Sequence, residues 1–364
     1  MTYDVLKFKP TGDKLNLKNE YAGFLLSGEH EHLPFSELNA LLEIFNIKAE
    51  NLKIFKNYAV FNGIISKENI QNIVKRGGYI NEGHLILFEC PFDEFNLEKS
   101  IEELYRISEI TDFPISKNET FAVRVHKLDR EKVAKSMEIE RKMGSIIKSK
   151  TFSSVNLKNP EKTIKIVISD NLAYVSVVLE KRDVEYFQNN RPHLRAYFHP
   201  GCIMPKLARC MVNLSRINEN DILLDPFCGT GGFLIEAGLI GCNVIGSDID
   251  EQMVNGAILN LNTYDLSKKT ISIKKWNAKN ILDYLKSLNI EKIDAVVTDP
   301  PYGISTSKKG DILEIFEGIV EILKKGDYLV FAAPNKMKLN LELTEFYEMR
   351  VHKSLTRYIH VYKK

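Results

Sequence analysis

The sequence predicts an α/β protein whose second half is a doubly wound parallel sheet and whose first half is a separate α+β unit. Three observations predict this fold class. A glycine-rich turn at Asp225 to Gly232 follows the apolar run Ile222-Leu223-Leu224 and precedes an apolar helix start, which is typical of the first unit of a nucleotide-binding sheet. Strand and helix patterns then alternate to the C-terminus. Residues 21–90 carry elements in the order β-α-β-β-α-β, which is ferredoxin-like.

The elements of the first ninety residues follow from local periodicity. Leu38, Leu41, Leu42 and Phe45 repeat at helical spacing, which predicts a helix over 35–45. A second helix is expected over 67–76, ended by the glycines that follow it. The strands are predicted at 21–26, 52–55, 58–61 and 84–90, the middle two forming a hairpin.

Residues 91–182 form a second predicted unit. It contains a helix over 97–107, a strand over 120–126 and a long basic helix over 131–148. A hairpin pairs 163–168 with 173–179. A connector over 183–200 leads to a helix over 204–215, whose apolar stripe, Met204 included, is expected to pack on the sheet that follows.

The second half alternates strands with helices. Strands are predicted at 222–225, 244–248, 271–275, 294–298 and 328–333, with helices at 231–240, 251–262, 279–287 and 311–323. Residues 346–351 and 357–362 end the chain as an antiparallel pair. We therefore expect a leader over 1–20, domains over 21–92 and 93–182, a linker over 183–200 and a final domain over 201–364.

Composition narrows the class of protein. The net charge is +2 over 364 residues, so nothing global demands a polyanionic partner. The five cysteines form no Cys-x-x-Cys pair, which predicts neither a metal site nor disulfides and indicates a reducing compartment. No stretch reaches transmembrane length and no signal peptide is evident, so we expect a cytoplasmic protein without membrane association.

Four polar residues follow predicted strand ends, namely Asp225, Asp248, Asn277 and Asp299. Right-handed crossovers place these ends on one edge of the sheet, which predicts a single site there. An acidic residue opens the glycine-rich loop, where it would repel a pyrophosphate but suit the cationic groups of S-adenosylmethionine. The predicted cofactor-binding residues are Asp225, Phe227, Cys228, Gly229, Thr230, Gly231, Asp248, Ile249, Asn277 and Ala278.

The segment Asp299-Pro300-Pro301-Tyr302 leaves the fourth strand of this sheet directly. Two prolines hold the backbone extended. An exocyclic base amine needs one acceptor for each N–H, and the Asp299 carboxylate and Pro300 carbonyl supply two. Asp299 could take the released proton, and Tyr302 offers a face on which a flipped base stacks. We predict that Asp299, Pro300 and Tyr302 are catalytic.

Positive charge is concentrated between residues 121 and 165, a segment that contains twelve Lys or Arg and five Asp or Glu. Such a cluster is typical of a surface for a phosphate backbone. A solvated helix face explains the same cluster about equally well. The predicted RNA-binding residues are Arg124, Lys127, Arg130, Lys135, Arg141 and Lys142.

These motifs resemble the archaeal tRNA guanosine-10 N2-methyltransferases, which carry an N-terminal ferredoxin-like domain, a THUMP domain and a class I, Rossmann-like methyltransferase domain. The likeness rests on the loop 225–232, on Asp299 to Gly303, on Leu26-Ser27-Gly28-Glu29-His30 and on the linker 191–201. It implies transfer of one or two methyl groups from S-adenosylmethionine to a tRNA guanosine. It also implies a monomer and allows a small zinc-bearing activator subunit. The THUMP-like half argues against DNA as a substrate.

One departure from the family pattern stands at Asn277-Ala278, where relatives often have Asp-Ala. An asparagine oxygen can still accept from the adenine amine. Other readings stay open at this stage. They are a guanosine at position 6 of tRNA, the adenine N6 of DNA, and an RNA-binding scaffold without catalysis.

Overall fold

The computed structural model describes residues 18–128, 135–301, 306–352 and 355–364. The first part of the chain forms one mixed sheet with helices packed against it. The ferredoxin-like segment contributes β1 (Lys18–Leu26), α1 (Leu33–Ile44), β2 (Glu50–Phe55), β3 (Tyr58–Ile65), α2 (Lys67–Arg76) and β4 (Ile80–Pro91). The predicted order of elements is confirmed. β1 begins three residues inside the segment predicted as a leader, and residues 1–17 lie outside the described part.

The next segment extends the same sheet. It contributes α3 (Leu97–Ile110), β5 (Thr120–Lys127), α4 (Ser136–Thr151), β6 (Ser154–Val155), β7 (Lys162–Ser169) and β8 (Leu172–Lys181). The strand order is β2-β3-β1-β4-β8-β7-β5-β6. β4 pairs antiparallel with β8 from Glu82 opposite Lys181 to Pro91 opposite Leu172. Hydrogen bonding therefore runs across the predicted division at residue 92, and the two segments share one sheet.

The second sheet is the doubly wound sheet that the sequence predicts. Its elements are α5 (Val184–Asn189), α6 (Pro205–Leu214), β9 (Ile222–Asp225), α7 (Gly232–Leu239), β10 (Asn243–Asp248), α8 (Glu251–Thr263), β11 (Thr270–Lys275), α9 (Ile281–Ser287), β12 (Ile293–Thr298), α10 (Thr306–Ile322), β13 (Leu323–Ala333), β14 (Glu342–His352) and β15 (Leu355–Lys363). The strand order is β11-β10-β9-β12-β13-β15-β14. β9 to β13 are parallel to one another, and β15 runs antiparallel to β13 and β14.

This strand order determines where a ligand can bind. The chain winds outward from β9 through β10 to β11, then returns to β12 on the other side of β9. The order reverses between β9 and β12, and ligands of such sheets bind outside the carboxyl ends of the strands at this reversal. Asp225 ends β9 and Asp299 follows β12, so the reversal brings together two of the predicted site residues.

Apolar and polar contacts join the two halves. Leu33, Ala40 and Tyr79 from the first half belong to the same buried cluster as Leu207 and Met211 of α6. The predicted stripe of α6 is therefore core. Met204 is the exception, because it precedes the helix as its N-cap and remains 48% exposed.

Buried polar side chains reinforce this junction. Glu37 of α1 is fully buried and accepts from the backbone N–H groups of Gly78 and Tyr79 and from Asn213 of α6, at 2.7–2.8 Å. The Arg76 Nε donates to the Asn213 Oδ1 at 3.0 Å. Because a buried polar group is costly without a partner, these bonds specify one packing of the two halves. None of the helices in the described part of the chain is both long and apolar enough to cross a membrane.

Candidate active site and RNA-binding surface

A cavity of about 810 Å³ opens at the carboxyl ends of the parallel strands. This is within the usual range of about 300–1,000 Å³ for small-molecule sites. The four polar residues that the sequence places at one edge, Asp225, Asp248, Asn277 and Asp299, all line it. The sequence-predicted residues Phe227, Cys228, Gly229, Thr230, Ile249, Ala278 and Pro300 line it too. Gly231 is outside the lining, and Tyr302 lies outside the described residues.

The glycine-rich loop forms one wall of the cavity. Gly229 and Gly231 have φ angles of +48° and +83°, a left-handed conformation that glycine adopts without strain. Apart from Gly229 and the two residues next to it in the chain, no atom lies within 4 Å of the position that a Cβ of Gly229 would occupy, so the backbone is open to a ligand there. At Gly231 a Cβ would come within 2.8 Å of Leu261 on α8. One glycine therefore opens the cavity, and the other lets α7 begin close to α8.

Asp225 lies beneath this loop and is 1% exposed. Its Oδ1 accepts from the Thr298 hydroxyl at 2.6 Å and from the Phe227 backbone N–H at 3.1 Å. Burial raises the pKa of Asp225 to about 7, although the Thr298 hydrogen bond acts in the opposite direction. The nearby carboxylates of Asp248 and Asp299 raise it further. The site thus holds an acidic group that gains its charge near neutral pH.

Asp248 joins the loop to the end of β10. Its Oδ2 accepts from the Gly229 backbone N–H at 2.9 Å, and its Oδ1 accepts from the Asp250 backbone N–H at 2.9 Å. Each carboxylate oxygen has a second lone pair for another donor. The carboxylate therefore positions the loop and can still accept hydrogen bonds from a ligand in the cavity.

Asn277 lies two residues after the end of β11 and lines a third side of the cavity. Its Oδ1 accepts from the Lys279 backbone N–H at 3.1 Å, which caps the 3-10 turn Ala278–Asn280. The neighbouring Trp276 also lines the cavity and stacks on Tyr284, with ring centroids 5.3 Å apart. This wall offers flat apolar surface beside one polar side chain, which suits a heteroaromatic ring.

Asp299 follows β12, the strand beside β9, and lines the same cavity as the glycine-rich loop. Its Oδ2 lies 3.2 Å from the Nη2 of Arg357, and the side chains are 15% and 9% exposed. Arg357 lines the cavity, and sequence reasoning missed it. The partner of Arg357 is far away in the sequence, so the only local signal is a charged residue among the apolar positions 355, 359 and 361 of β15.

The linker contributes a further wall that the sequence did not predict. His199 to Ile203 line the cavity, and the Cys202 Sγ lies 3.0 Å from the Thr230 hydroxyl of the glycine-rich loop. The segment precedes α6, which packs on α7. The sequence signal that could have indicated this wall is Pro200-Gly201, a turn pair shortly before α6. In the described residues, no group of three or more His, Cys, Asp or Glu side chains is arranged to hold a metal ion.

The predicted RNA-binding residues divide into two groups. Arg141 and Lys142 on α4 are exposed. The other described residues of the set are engaged within the protein. Lys127 lies 2.8 Å from Glu94, Lys135 pairs with Glu98, and Arg124 donates to the Leu157 carbonyl at 2.6 Å. Arg130 lies outside the described residues. Internal pairing reduces the charge that this surface presents to a phosphate backbone.

The chain is similar to known tRNA-modifying methyltransferases in sequence. Residues 192–359 match the family model of the RMKL-like methyltransferase domain, and residues 98–178 match the THUMP domain. The tRNA (guanine(10)-N2)-dimethyltransferase of Methanocaldococcus jannaschii is 50% identical over 355 residues, which span 94% of this chain and 99% of the relative.

Two solved structures share the overall fold. TrmN from Thermus thermophilus superposes with a TM-score of 0.57 at 17% identity, over 94% of this chain and 99% of that one. SMU.472 complexed with SAH superposes with a TM-score of 0.52 at 16% identity, over 96% and 99%. These likenesses confirm the predicted fold class, with a THUMP-bearing first half before a doubly wound sheet.

Proposed function

The chain belongs to the tRNA (guanine(10)-N2)-dimethyltransferase family, and from this premise we propose how its cavity transfers a methyl group. The chain is a tRNA methyltransferase that modifies the exocyclic N2 of guanosine. The proposal is that the target is guanosine 10, that the methyl donor is S-adenosylmethionine, and that the N2 receives one and then a second methyl group. The observation that carries it is that Asp299, Pro300 and Pro301 line the same cavity as Asp225 and Asp248.

The charges of the cavity and the open backbone at Gly229 fit S-adenosylmethionine. When bound, this cofactor supplies an electrophilic methyl group on a sulfonium and leaves as a neutral thioether. Asp225 and Asp248 give one wall of the cavity an acidic character that suits a ligand carrying sulfonium and ammonium groups. Gly229 leaves the backbone open beside them. We assign the methionine part to the loop with Asp225, the ribose to Asp248 and the adenine to Asn277 and Ala278.

Asp299 and Pro300 are the groups that we assign to the target base. The guanine N2 amine is a poor nucleophile because its lone pair is delocalised into the ring. An acceptor for each of its N–H bonds, the Asp299 carboxylate and the Pro300 carbonyl, holds the nitrogen toward the methyl group. Much of the rate then comes from positioning. The proton released from N2 passes to the Asp299 carboxylate. Tyr302, outside the described residues, keeps its predicted role as a stacking platform.

The first sheet is assigned to tRNA binding. It contains the THUMP domain, and the exposed Arg141 and Lys142 of α4 offer charge for phosphates. The buried bonds around Glu37 and Asn213 hold this half against α6, which packs on the helix of the glycine-rich loop. A tRNA held by the first sheet would therefore meet the active site at a constant distance.

Methyl transfer from labelled S-adenosylmethionine tests this proposal. The purified chain is assayed on an unmodified tRNA transcript and on the same transcript with guanosine 10 replaced by adenosine. We expect labelled methyl groups to be incorporated into the unmodified transcript and not into the transcript in which guanosine 10 is replaced. Equal incorporation into both transcripts would refute guanosine 10 as the target, and activity of the purified chain alone would show that no activator subunit is required.

A further inference from the structure

Among the described residues that line the cavity, Arg357 is the one arginine. The roles assigned under the proposed function do not include it. It stands on β15, one residue before the last pair that β15 makes with β13, Tyr358 opposite Ala333. On its other side it pairs with Met349 of β14. β14 therefore holds the backbone of Arg357, and β13 holds that of the adjacent Tyr358, at the same edge of the sheet as the predicted catalytic residues.

The side chain of Arg357 is placed against the predicted catalytic carboxylate. The Nη2 lies 3.2 Å from the Asp299 Oδ2 and 3.4 Å from the Gly201 carbonyl. Both charged side chains are largely withdrawn from water. Burying an ion pair is often no better for stability than burying apolar groups of the same size. Stability alone therefore does not explain an arginine at this position. Binding of a ligand that interacts with both charges would explain it.

Guanine is such a ligand, because its Watson–Crick edge presents two kinds of group. The N2 amine and N1–H are donors, and the adjacent O6 is an acceptor. Adenine carries a donor amine where guanine has O6, and an unprotonated N1. N2 and O6 lie on the two sides of N1 along one edge, so the groups that bind them must lie close together, as Asp299 and Arg357 do. A carboxylate beside a guanidinium complements guanine. Adenine has no amine at C2 for the carboxylate and presents a donor amine to the guanidinium.

We propose that Arg357 selects guanine by donating a hydrogen bond to O6 while Asp299 accepts from the N2 amine. This inference rests on the proposed function and deepens it, since it names the residue that determines base specificity. Arginine provides several N–H donors in a rigid plane, so Arg357 can keep its contact with Asp299 and still bind the base. An enzyme that works on a flipped base commonly reads this edge.

A substrate analogue separates base selection from mere support of Asp299. The tRNA transcript carries either guanosine or 6-thioguanosine at position 10. The analogue keeps N1–H and the N2 amine but replaces O6 with sulfur, a weaker acceptor. Single-turnover rates of methyl transfer are measured for the wild type, for Arg357→Met and for Arg357→Lys. Thermal melting of each variant reports whether it is folded.

We expect the wild type to prefer guanosine over the analogue by roughly 3- to 10-fold. This is part of the roughly 10- to 100-fold that a charged hydrogen bond can supply. Arg357→Met should lose most of this preference, and its rate on guanosine should fall by roughly 10- to 100-fold. Arg357→Lys, which keeps a charged donor, should retain part of the preference even if Arg357→Met does not fold.

An unchanged preference in folded Arg357→Met, with both rates reduced alike, would overturn the inference and leave Arg357 as a residue that only positions Asp299. A wild type that prefers neither transcript would overturn it as well. If the wild type methylates no guanosine transcript at all, the proposed function itself fails. The outcomes therefore distinguish the two claims.

Discussion

Asp225→Asn should stabilise the protein without its cofactor and weaken the binding of S-adenosylmethionine. The side chain is 1% exposed, and its Oδ1 accepts from Thr298 at 2.6 Å and Phe227 at 3.1 Å. An asparagine Oδ1 can accept both bonds, so the replacement removes a charge and preserves the contacts. The buried charge is unfavourable in the free protein, but in our assignment it faces the cationic end of the cofactor.

The size of the effect follows from the pKa of this carboxyl, which burial raises from 3.8 to about 7. Because the folded-state pKa lies above the unfolded one, the protein gains its full stability from this group below about pH 4. That stability is lost as the pH rises through 7. A difference of about three units corresponds to about 4 kcal/mol as an upper bound. The advantage of Asp225→Asn should therefore grow from pH 4 to 7 and then level off.

Urea denaturation of both proteins between pH 4 and pH 8.5 measures this advantage. Saturating S-adenosylmethionine should then favour the wild type, because a ligand stabilises the folded state in proportion to its affinity. Calorimetric titration should show weaker cofactor binding by the variant. An advantage that does not change with pH would refute the argument from burial. Unchanged cofactor affinity would refute the assignment of Asp225 to the methionine part.

Three further changes test other parts of the account. Asp299→Ala should abolish methyl transfer and leave tRNA affinity nearly intact in a filter-binding assay, and substantial residual turnover would contradict its role. Glu236→Gln should lower the free energy of unfolding, measured in urea, by about 3–5 kcal/mol. The reason is that Arg209 is buried 2.7 Å from Glu236 and would lose the negative charge of this partner. A loss below about 1 kcal/mol would contradict this. Replacing both Arg141 and Lys142 with Ala should weaken tRNA binding and lower the slope of log affinity against log salt by about two, and an unchanged slope would remove α4 from the interface.

Local patterns in the sequence predicted much of the second sheet. A strand, a glycine-rich turn and a helix leave a strong local signal, and the helices and strands that follow are short and regular. Parallel strands with right-handed crossovers also bring their carboxyl ends together without further information. This is why Asp225, Asp248, Asn277 and Asp299 could be placed at one cavity from their positions in the sequence alone.

Features that depend on distant pairing were not predictable in the same way. The antiparallel pairing of β4 with β8 joins segments that the sequence reading had separated, because register between distant strands leaves no local pattern. A count of charges between 121 and 165 could not show that Glu94 and Glu98 neutralise Lys127 and Lys135. The contact between Arg357 and Asp299 likewise exists only because β15 inserts beside β13.

Identification of the methylated nucleoside tests the central claim most directly. The tRNA transcript is incubated with the enzyme and S-adenosylmethionine, digested to nucleosides and separated by chromatography with mass detection. We expect N2-methylguanosine, followed at longer times by N2,N2-dimethylguanosine, and we expect both to be absent when guanosine 10 is replaced. A methyl group on a ring nitrogen of guanine, or on adenine N6, would contradict the roles given to Asp299 and Pro300.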